Sequence, residues 1–595
     1  MLTRRQALTA LVASAPAALA GCTAQSPAAP TSAAPQTRTI RILATSDLHG
    51  KMLPYNYPAD EADASGSLAQ VATAVSQLRD ENTLLIDVGD TIQDNMAEIF
   101  ANDEAHPMVV GLNAVGYDIG VLGNHEFDFG MDTVRRAVSA FEGTLLTGNV
   151  IDEFGDPVGE AHTIVDVAGV RVGIIGMVTP NIQMWSADAL KGCVVYNPIR
   201  EIRKAIKLIS DEVDVLVGAF HVDIDSEFDM PGTGAREIAE AFPQFDVILA
   251  AHGHRLIEGE IVGNTLIVEN RAQGQTMSNI ELVCEQGEDG WKVASKSATS
   301  VSIADYDPDP QIVELLEPYD ERAKAHAREV VGRLEGGPLV APAEIEGIPT
   351  ALIQDTPLID FINKVVMHYS GADVAVSELV DDDANIQPGD MRRCDISKIY
   401  KHTNTLYTLR MTGSQLRRFM EWSAGVLAQW KPGDLTFAVN PNRRYYEREM
   451  PSGVTYEIDI SREEGQRIRN LCWANGKPVA DDDSFVLAAN NYRSNSTLLT
   501  PGKLFSEDDM PKLIASDLRS DIGSIREMIV RYIENECGGV VRSECDNNWK
   551  LVGYEWDPAL HEQAVELVRS GKLEIKDDYG ICTKAVTKAD LPEGN

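Results

Sequence analysis

Five short apolar runs in the first half of the chain each end on metal-binding residue types, and no other feature constrains the fold as much. Thr39-Ile-Arg-Ile-Leu-Ala-Thr45 leads into Asp47-Leu48-His49, and Thr83-Leu-Leu-Ile-Asp-Val88 into Gly89-Asp90. Tyr117-Asp-Ile-Gly-Val-Leu122 leads into Gly123-Asn124-His125-Glu126, Val213 to Phe220 into His221, and Phe245 to Ala250 into His252-Gly253-His254. These β-type runs alternate with helical patterns from Thr39 to about Ser302, which predicts an α/β domain. In α/β sheets, ligands gather beyond the carboxyl ends of the strands, so five such ends predict side chains aimed into one space. One Asp-x-His or His-x-His alone is commonplace in a solvated turn. Five in series, holding five of the eleven histidines, are a different matter. The glycines beside them permit tight turns and close backbone approach.

With 595 residues the chain is too long for one core, and two large domains are predicted. The first spans 38–305 and ends in the turn-rich Asp305-Tyr-Asp-Pro-Asp-Pro310. A linker helix follows within 306–340: Gln311 to Arg333 reads as charged, helical and kinked at Pro318. A second α/β region covers 341–556. The tail, 557–595, is polar, has a helical piece near Glu562 to Arg569, and carries no motif.

The first 21 residues read as an export signal. Arg4-Arg5 precedes a weakly apolar run from Ala7 to Ala20, too short to span a bilayer. The twin arginines resemble a Tat signal, and Leu19-Ala20-Gly21-Cys22 resembles a lipobox that makes Cys22 the lipidated N-terminus. The Pro/Ala/Ser/Thr-rich stretch to residue 37 has too little apolar content to fold and reads as a tether. The expected product is an exported lipoprotein, on the outer face of the cytoplasmic membrane or in the periplasm. A net charge of −39 argues against coating a nucleic-acid polymer. A small phosphate ester is still a fitting ligand if bound cations supply local positive charge. Eight cysteines are too few for a disulfide scaffold, and nothing in the sequence fixes the oligomeric state.

In their order, Asp-x-His, Gly-Asp, Gly-Asn-His-Glu, a lone His and His-x-His resemble the calcineurin-type metallophosphoesterases. The resemblance extends to the 5′-nucleotidase/2′,3′-cyclic phosphodiesterase family. It implies a four-layer β-sandwich flanked by helices, a linker helix and a second α/β domain that binds substrate. It also implies two divalent metal ions. The first would be held by Asp47, His49, Asp90 and His254, and the second by Asp90, Asn124, His221 and His252, with Asp90 bridging. Imidazole and oxygen donors suit Zn, Mn, Fe or Co. Two close cations activate a water and brace phosphoryl oxygens. His125 would aid the leaving oxygen, and Asp128 would orient its imidazole. Two positions depart from the family pattern. Ala251 stands where glycine is usual before His-x-His, and Val222-Asp223 follows the lone His, which puts metal preference in question.

Further motifs point to the cyclic-phosphodiesterase branch. They are Gly89-Asp-Thr-Ile-Gln-Asp94, His106-Pro107, Thr179-Pro-Asn-Ile-Gln-Met-Trp185, Asp355-Thr-Pro-Leu-Ile-Asp-Phe-Ile-Asn363, Asn404-Thr-Leu406, Tyr456-Glu-Ile-Asp-Ile-Ser461 and Asn490-Asn-Tyr-Arg493. The 5′-nucleotidases carry an Asn-Gly-Gly-x-Arg-like segment whose arginine clamps the 5′-phosphate. The matching stretch here, Ala384 to Asp390, has no arginine before Arg392 and Arg393. The resemblance therefore implies hydrolysis of 2′,3′-cyclic nucleotides and 3′-nucleotides, unless one of those arginines replaces the clamp. Two residues would stack on the base: Tyr492, and His402 where the family has tyrosine. The alternatives on this scaffold are a 5′-nucleotidase or nucleotide-sugar hydrolase, and a non-catalytic surface lipoprotein that binds nucleotides.

Overall fold

A computed structural model describes residues 36–592 apart from 188, 228–229, 289 and 578–579. The leader, Cys22 and the tether up to residue 35 lie outside the described residues.

Two six-stranded sheets form the centre of the first domain. In one, Thr37–Thr45 pairs in parallel with Thr83–Asp87, followed by Ile119–Val121 and Thr144–Leu146; Thr276–Gly287 and Gly290–Ser302 complete the other edge antiparallel. In the other, Val247–Leu249 and Thr265–Glu269 lie parallel to Val215–His221 and Val170–Val178. The parallel strands are apolar along their length, as strands covered on both faces must be. Ile42, Leu84 and Ile86 of one sheet pack with Ile174, Val217 and Val247 of the other in a shared core. Helices Leu68–Leu78 and Pro107–Val115 cover the outer face of the first sheet, and Pro198–Ile209 and Ala235–Ala241 that of the second. The order is helix, sheet, sheet, helix: the four-layer sandwich. His106 caps one of these helices, accepting from Met108 N, so the His106-Pro107 motif has a structural use.

The linker helix is shorter than the sequence suggests. It spans Pro310–Ala327, capped by Asp309, whose carboxylate accepts from Gln311 N and Ile312 N, and it continues through Pro318. Ile312, Leu316 and Ala323 bury against the first domain, and Asp320 accepts from Tyr57 Oη at 2.8 Å. Residues expected to prolong the helix instead form the strand Val330–Glu335. It pairs with Gly389–Arg392 and Val540–Arg542, so remote strand partners override local helical preference.

The second domain is built on a five-stranded sheet ordered Glu449–Ser452, Val374–Glu378, Ser484–Asn490, Leu406–Thr412, Lys512–Leu518. Helices Pro357–Ser370, Gly413–Ala424 and Ile525–Asn535 pack on it. Asp355, Asp360 and the Cys545 thiol cluster beside the start of the first of these helices. Burial and then Asp360 push the Asp355 carboxyl up to about 7; burial pushes Asp360 up to about 6, against the backbone N–H of Asp546 that donates to it. In the tail, the helix runs from Pro558 to Arg569, and Ala564, Val565, Ile575 and Val586 pack against Ile345, Ile348 and Leu435. No described cysteine forms a disulfide, and Cys537 and Cys545 are separate thiols. Among the described residues, no helix is long and apolar enough to cross a membrane.

The two domains meet across a cleft. Asn491 Nδ2 donates to Trp185 O at 2.8 Å, and Asn495 Nδ2 to Met184 O at 2.6 Å. Arg526 pairs with Glu98, and Arg392 with Asp60 at 2.7 Å.

Candidate active site

The five strand ends converge as the sequence suggests. The loops after Thr45 and Asp87 run side by side: Asp47 N donates to Gly89 O at 2.8 Å and His49 N to Asp90 O at 2.9 Å. Gly123 brings the third loop against Asp90, because a Cβ there would fall 2.2 Å from Asp90 Oδ1 and 2.7 Å from His221 Cε1. Five proposed ligands have left-handed backbone: Asp47 (φ 53°), His49 (46°), Asp90 (55°), His252 (74°) and His254 (55°). Non-glycine residues avoid this region unless the surroundings impose it, and such strain gathers at functional sites.

Two clusters result. Asp47, His49 and His254 form one, and Asp90, His221 and His252 the other; within each, the ligand atoms all lie within 4.8 Å of one another. In the first, His49 Nε2 and His254 Nε2 face each other at 3.1 Å, and Asp47 Oδ1 lies 3.5 Å from His254 Nε2. In the second, His221 Nε2 lies 3.1 Å from Asp90 Oδ2 and 3.0 Å from Asn124 Oδ1, which adds Asn124 to the set. Asp90 groups with the second cluster, while its charge also acts on His49 of the first.

The donor set fits metal ions. Burial and then His254 push His49 down to about 4, which leaves the neutral imidazole that ligates. Burial opposes ionisation of Asp47, but His254 overcomes it and holds that carboxyl at about 2. Burial also opposes charge on His221, yet Asp90 raises it to about 9. In the second cluster, an ion bound through His221 would therefore displace the proton that Asp90 holds on that ring.

His125 lies outside both clusters. Its Nδ1 is 2.7 Å from Asp128 Oδ2, and Asp128 Oδ1 accepts from Ser186 Oγ at 3.0 Å. Burial disfavours the imidazolium, but Asp90 and then Asp128 raise the group to about 10. Asp223 also stands outside both clusters, with Arg255 Nη2 at 3.5 Å.

Several organising residues escaped the sequence reading. The buried Glu126 carboxylate accepts from Asp90 N at 3.0 Å, Thr91 N at 2.6 Å and Gly123 N at 2.6 Å, joining two ligand loops. It lies inside the Gly-Asn-His-Glu motif, so position was the available signal. Trp185 stacks on His252 with ring centroids 5.3 Å apart and 24° between planes.

The cleft above the clusters measures about 1760 Å³. Asn124, His125, Trp185 and His252 line one wall, and His402 and Tyr492 the other, along with Tyr446, which the sequence reading passed over. Arg493 lies 5.6 Å from the Tyr492 ring centroid and pairs with buried Glu449. The crowding walls of the cleft, then Lys401, hold His402 below the usual histidine value, although the residue as a whole is exposed. Arg392 is engaged by Asp60 and Asp395, and Arg393 by Glu329 and both oxygens of Glu527.

A four-layer sandwich with two histidine–carboxylate clusters at its strand ends defines a two-metal phosphoesterase. Comparison with known proteins agrees. Residues 40–256 match the calcineurin-like phosphoesterase family, and residues 330–497 the 5′-nucleotidase C-terminal domain. The chain belongs to the family of hydrolases that joins these two domains. It is 26% identical to a 2′,3′-cyclic-nucleotide 2′-phosphodiesterase/3′-nucleotidase of Salmonella typhimurium, covering 88% of this chain and 90% of that protein. It is also 26% identical to the trifunctional nucleotide phosphoesterase protein YfkN of Bacillus subtilis over 87% of this chain, a match that spans 39% of YfkN. In fold it is similar to the solved structure of a putative 5′-nucleotidase from Staphylococcus aureus, with a TM-score of 0.73 at 19% identity, covering 86% of this chain and 100% of that one.

Proposed function

We propose that the protein hydrolyses 2′,3′-cyclic nucleotides and 3′-nucleotides to nucleoside and phosphate. The observation that carries this reading is the engagement of Arg392 and Arg393 by carboxylates, which leaves neither to clamp a 5′-phosphate. The names of relatives such as the Salmonella enzyme support it. Asp47, His49, Asp90 and His254 would hold one ion, and Asp90, Asn124, His221 and His252 the other. Bound there, the pair supplies a nucleophilic water and positive charge beside the phosphoryl oxygens. His125, held through Nδ1 by Asp128, keeps Nε2 for the substrate. As the phosphorus–O2′ bond breaks, His125 gives its Nε2 proton to O2′, leaving a 3′-phosphate for a second hydrolysis. Tyr492 and His402 stack on the base. Comparing phosphate and nucleoside release from 2′,3′-cyclic, 3′- and 5′-nucleotides tests the reading. The cyclic and 3′ substrates should lead, and a clear preference for 5′-nucleotides would replace it with a 5′-nucleotidase.

The sequence before residue 36 supports the further proposal that the protein is exported and anchored through a lipid on Cys22. Cys22→Ser should move it to the soluble fraction or leave it unprocessed, whereas wild-type protein cleaved elsewhere and wholly soluble would contradict the anchor.

A further inference from the structure

His221 shows how a histidine is set for a metal. Its Nδ1 lies 2.7 Å from Val88 O and donates there, so Nε2 faces Asp90 and Asn124. His252 is held the other way round. Its Nε2 lies 3.3 Å from Glu227 Oε2. A nitrogen that gives its proton to a carboxylate has no lone pair for an ion, so Nδ1 is left to serve the second cluster. Glu227 is itself held in place. Asn181 Nδ2 donates to its Oε2 at 3.1 Å, and its backbone N–H donates to the buried Thr233 Oγ1 at 2.8 Å. Trp185 covers one face of the His252 ring, and His252 N donates to Asp47 Oδ1 at 3.1 Å. Nothing in the sequence marked Glu227, which lies six residues past His221 in a loop without a family motif.

We propose that Glu227 is the positioning residue of the second metal site: it fixes the tautomer and ring orientation of His252 and raises the basicity of Nδ1. The proposal rests on the two-metal reading of the clusters. Carboxylate partners of ligand histidines typically contribute 10–100-fold in metal affinity. Titrating the chelator-treated full chain with Co²⁺, followed by calorimetry and visible absorption, reads the two equivalents separately. Wild type should take up two. Glu227→Ala should weaken one of them by about 10–100-fold and alter its absorption band, with the other unchanged. Glu227→Gln keeps an acceptor for Nε2–H but not the charge, and should fall between. Two equivalents at wild-type affinity in Glu227→Ala would overturn the proposal. So would equal weakening of both with a lower melting temperature of the metal-free protein, because Glu227 would then support the fold. A wild type that takes up fewer than two equivalents would overturn the two-metal reading and this inference together.

Discussion

Asp90 sits where three of the ligand loops touch. One oxygen faces His221, the other accepts from His125 N, and its own N–H is held by Glu126. Asp90→Asn keeps the shape and removes the charge that faces both clusters. Loss of several kcal/mol of cation-borne stabilisation predicts a fall in kcat of at least about 100-fold. Metal content should drop with the circular dichroism unchanged, and near-normal turnover after exhaustive chelation would count against the mechanism. His125→Ala should behave differently, lowering kcat by about 10²–10⁴-fold while metal content stays at the wild-type level. Metal loss in that variant would move His125 into the ligand set. These residues were legible in the sequence because each lies within four positions of the end of an apolar run, where strand geometry alone fixes its direction. Glu227 and Tyr446 were not, since each acquires its role from residues brought near only by folding; Trp185 was legible as the end of a motif but not as the ring that stacks on His252.

At the scale of the element, strands that end on ligands were easy to read, and those that pair across long loops were not. Val330–Glu335 looks like the continuation of a charged helix until strands at 389–392 and 540–542 recruit it. The motif Asp355-Thr-Pro-Leu-Ile-Asp360 is legible as a helix start, yet its two carboxylates meet Cys545 only in the folded chain. That meeting has a consequence for stability. Asp355 binds its proton more tightly folded, at about 7, than unfolded, at about 3.9. The folded state therefore holds more protons than the unfolded state between those values. The stability this proton brings is complete below the unfolded value and is lost as pH rises through the folded one. Denaturant midpoints of the wild type should fall from pH 4.5 to 7.5 by more than those of Asp355→Asn. Parallel profiles for the two proteins would show that this carboxyl does not titrate as its surroundings require.

For the whole molecule, the net charge of −39 works against an anionic substrate at a distance, although the cleft collects Arg443, Lys401 and Arg526 close in. Long-range repulsion is screened beyond about 8 Å at 0.15 M ionic strength. With metal fixed, kcat/KM for a nucleotide should therefore rise, by about twofold or more, as KCl increases from low ionic strength to that level. A steady fall would mean that the local cations govern the encounter. The contact between the domains also includes the short Ile182–Trp185 helix, whose last carbonyls receive Asn491 and Asn495. That grip is specified on one side only. The second domain must supply two asparagine amides, but the first offers main-chain oxygens that any residue provides. Over evolutionary time, the side chain at position 184 is free to drift without losing these two hydrogen bonds, whereas positions 491 and 495 are not.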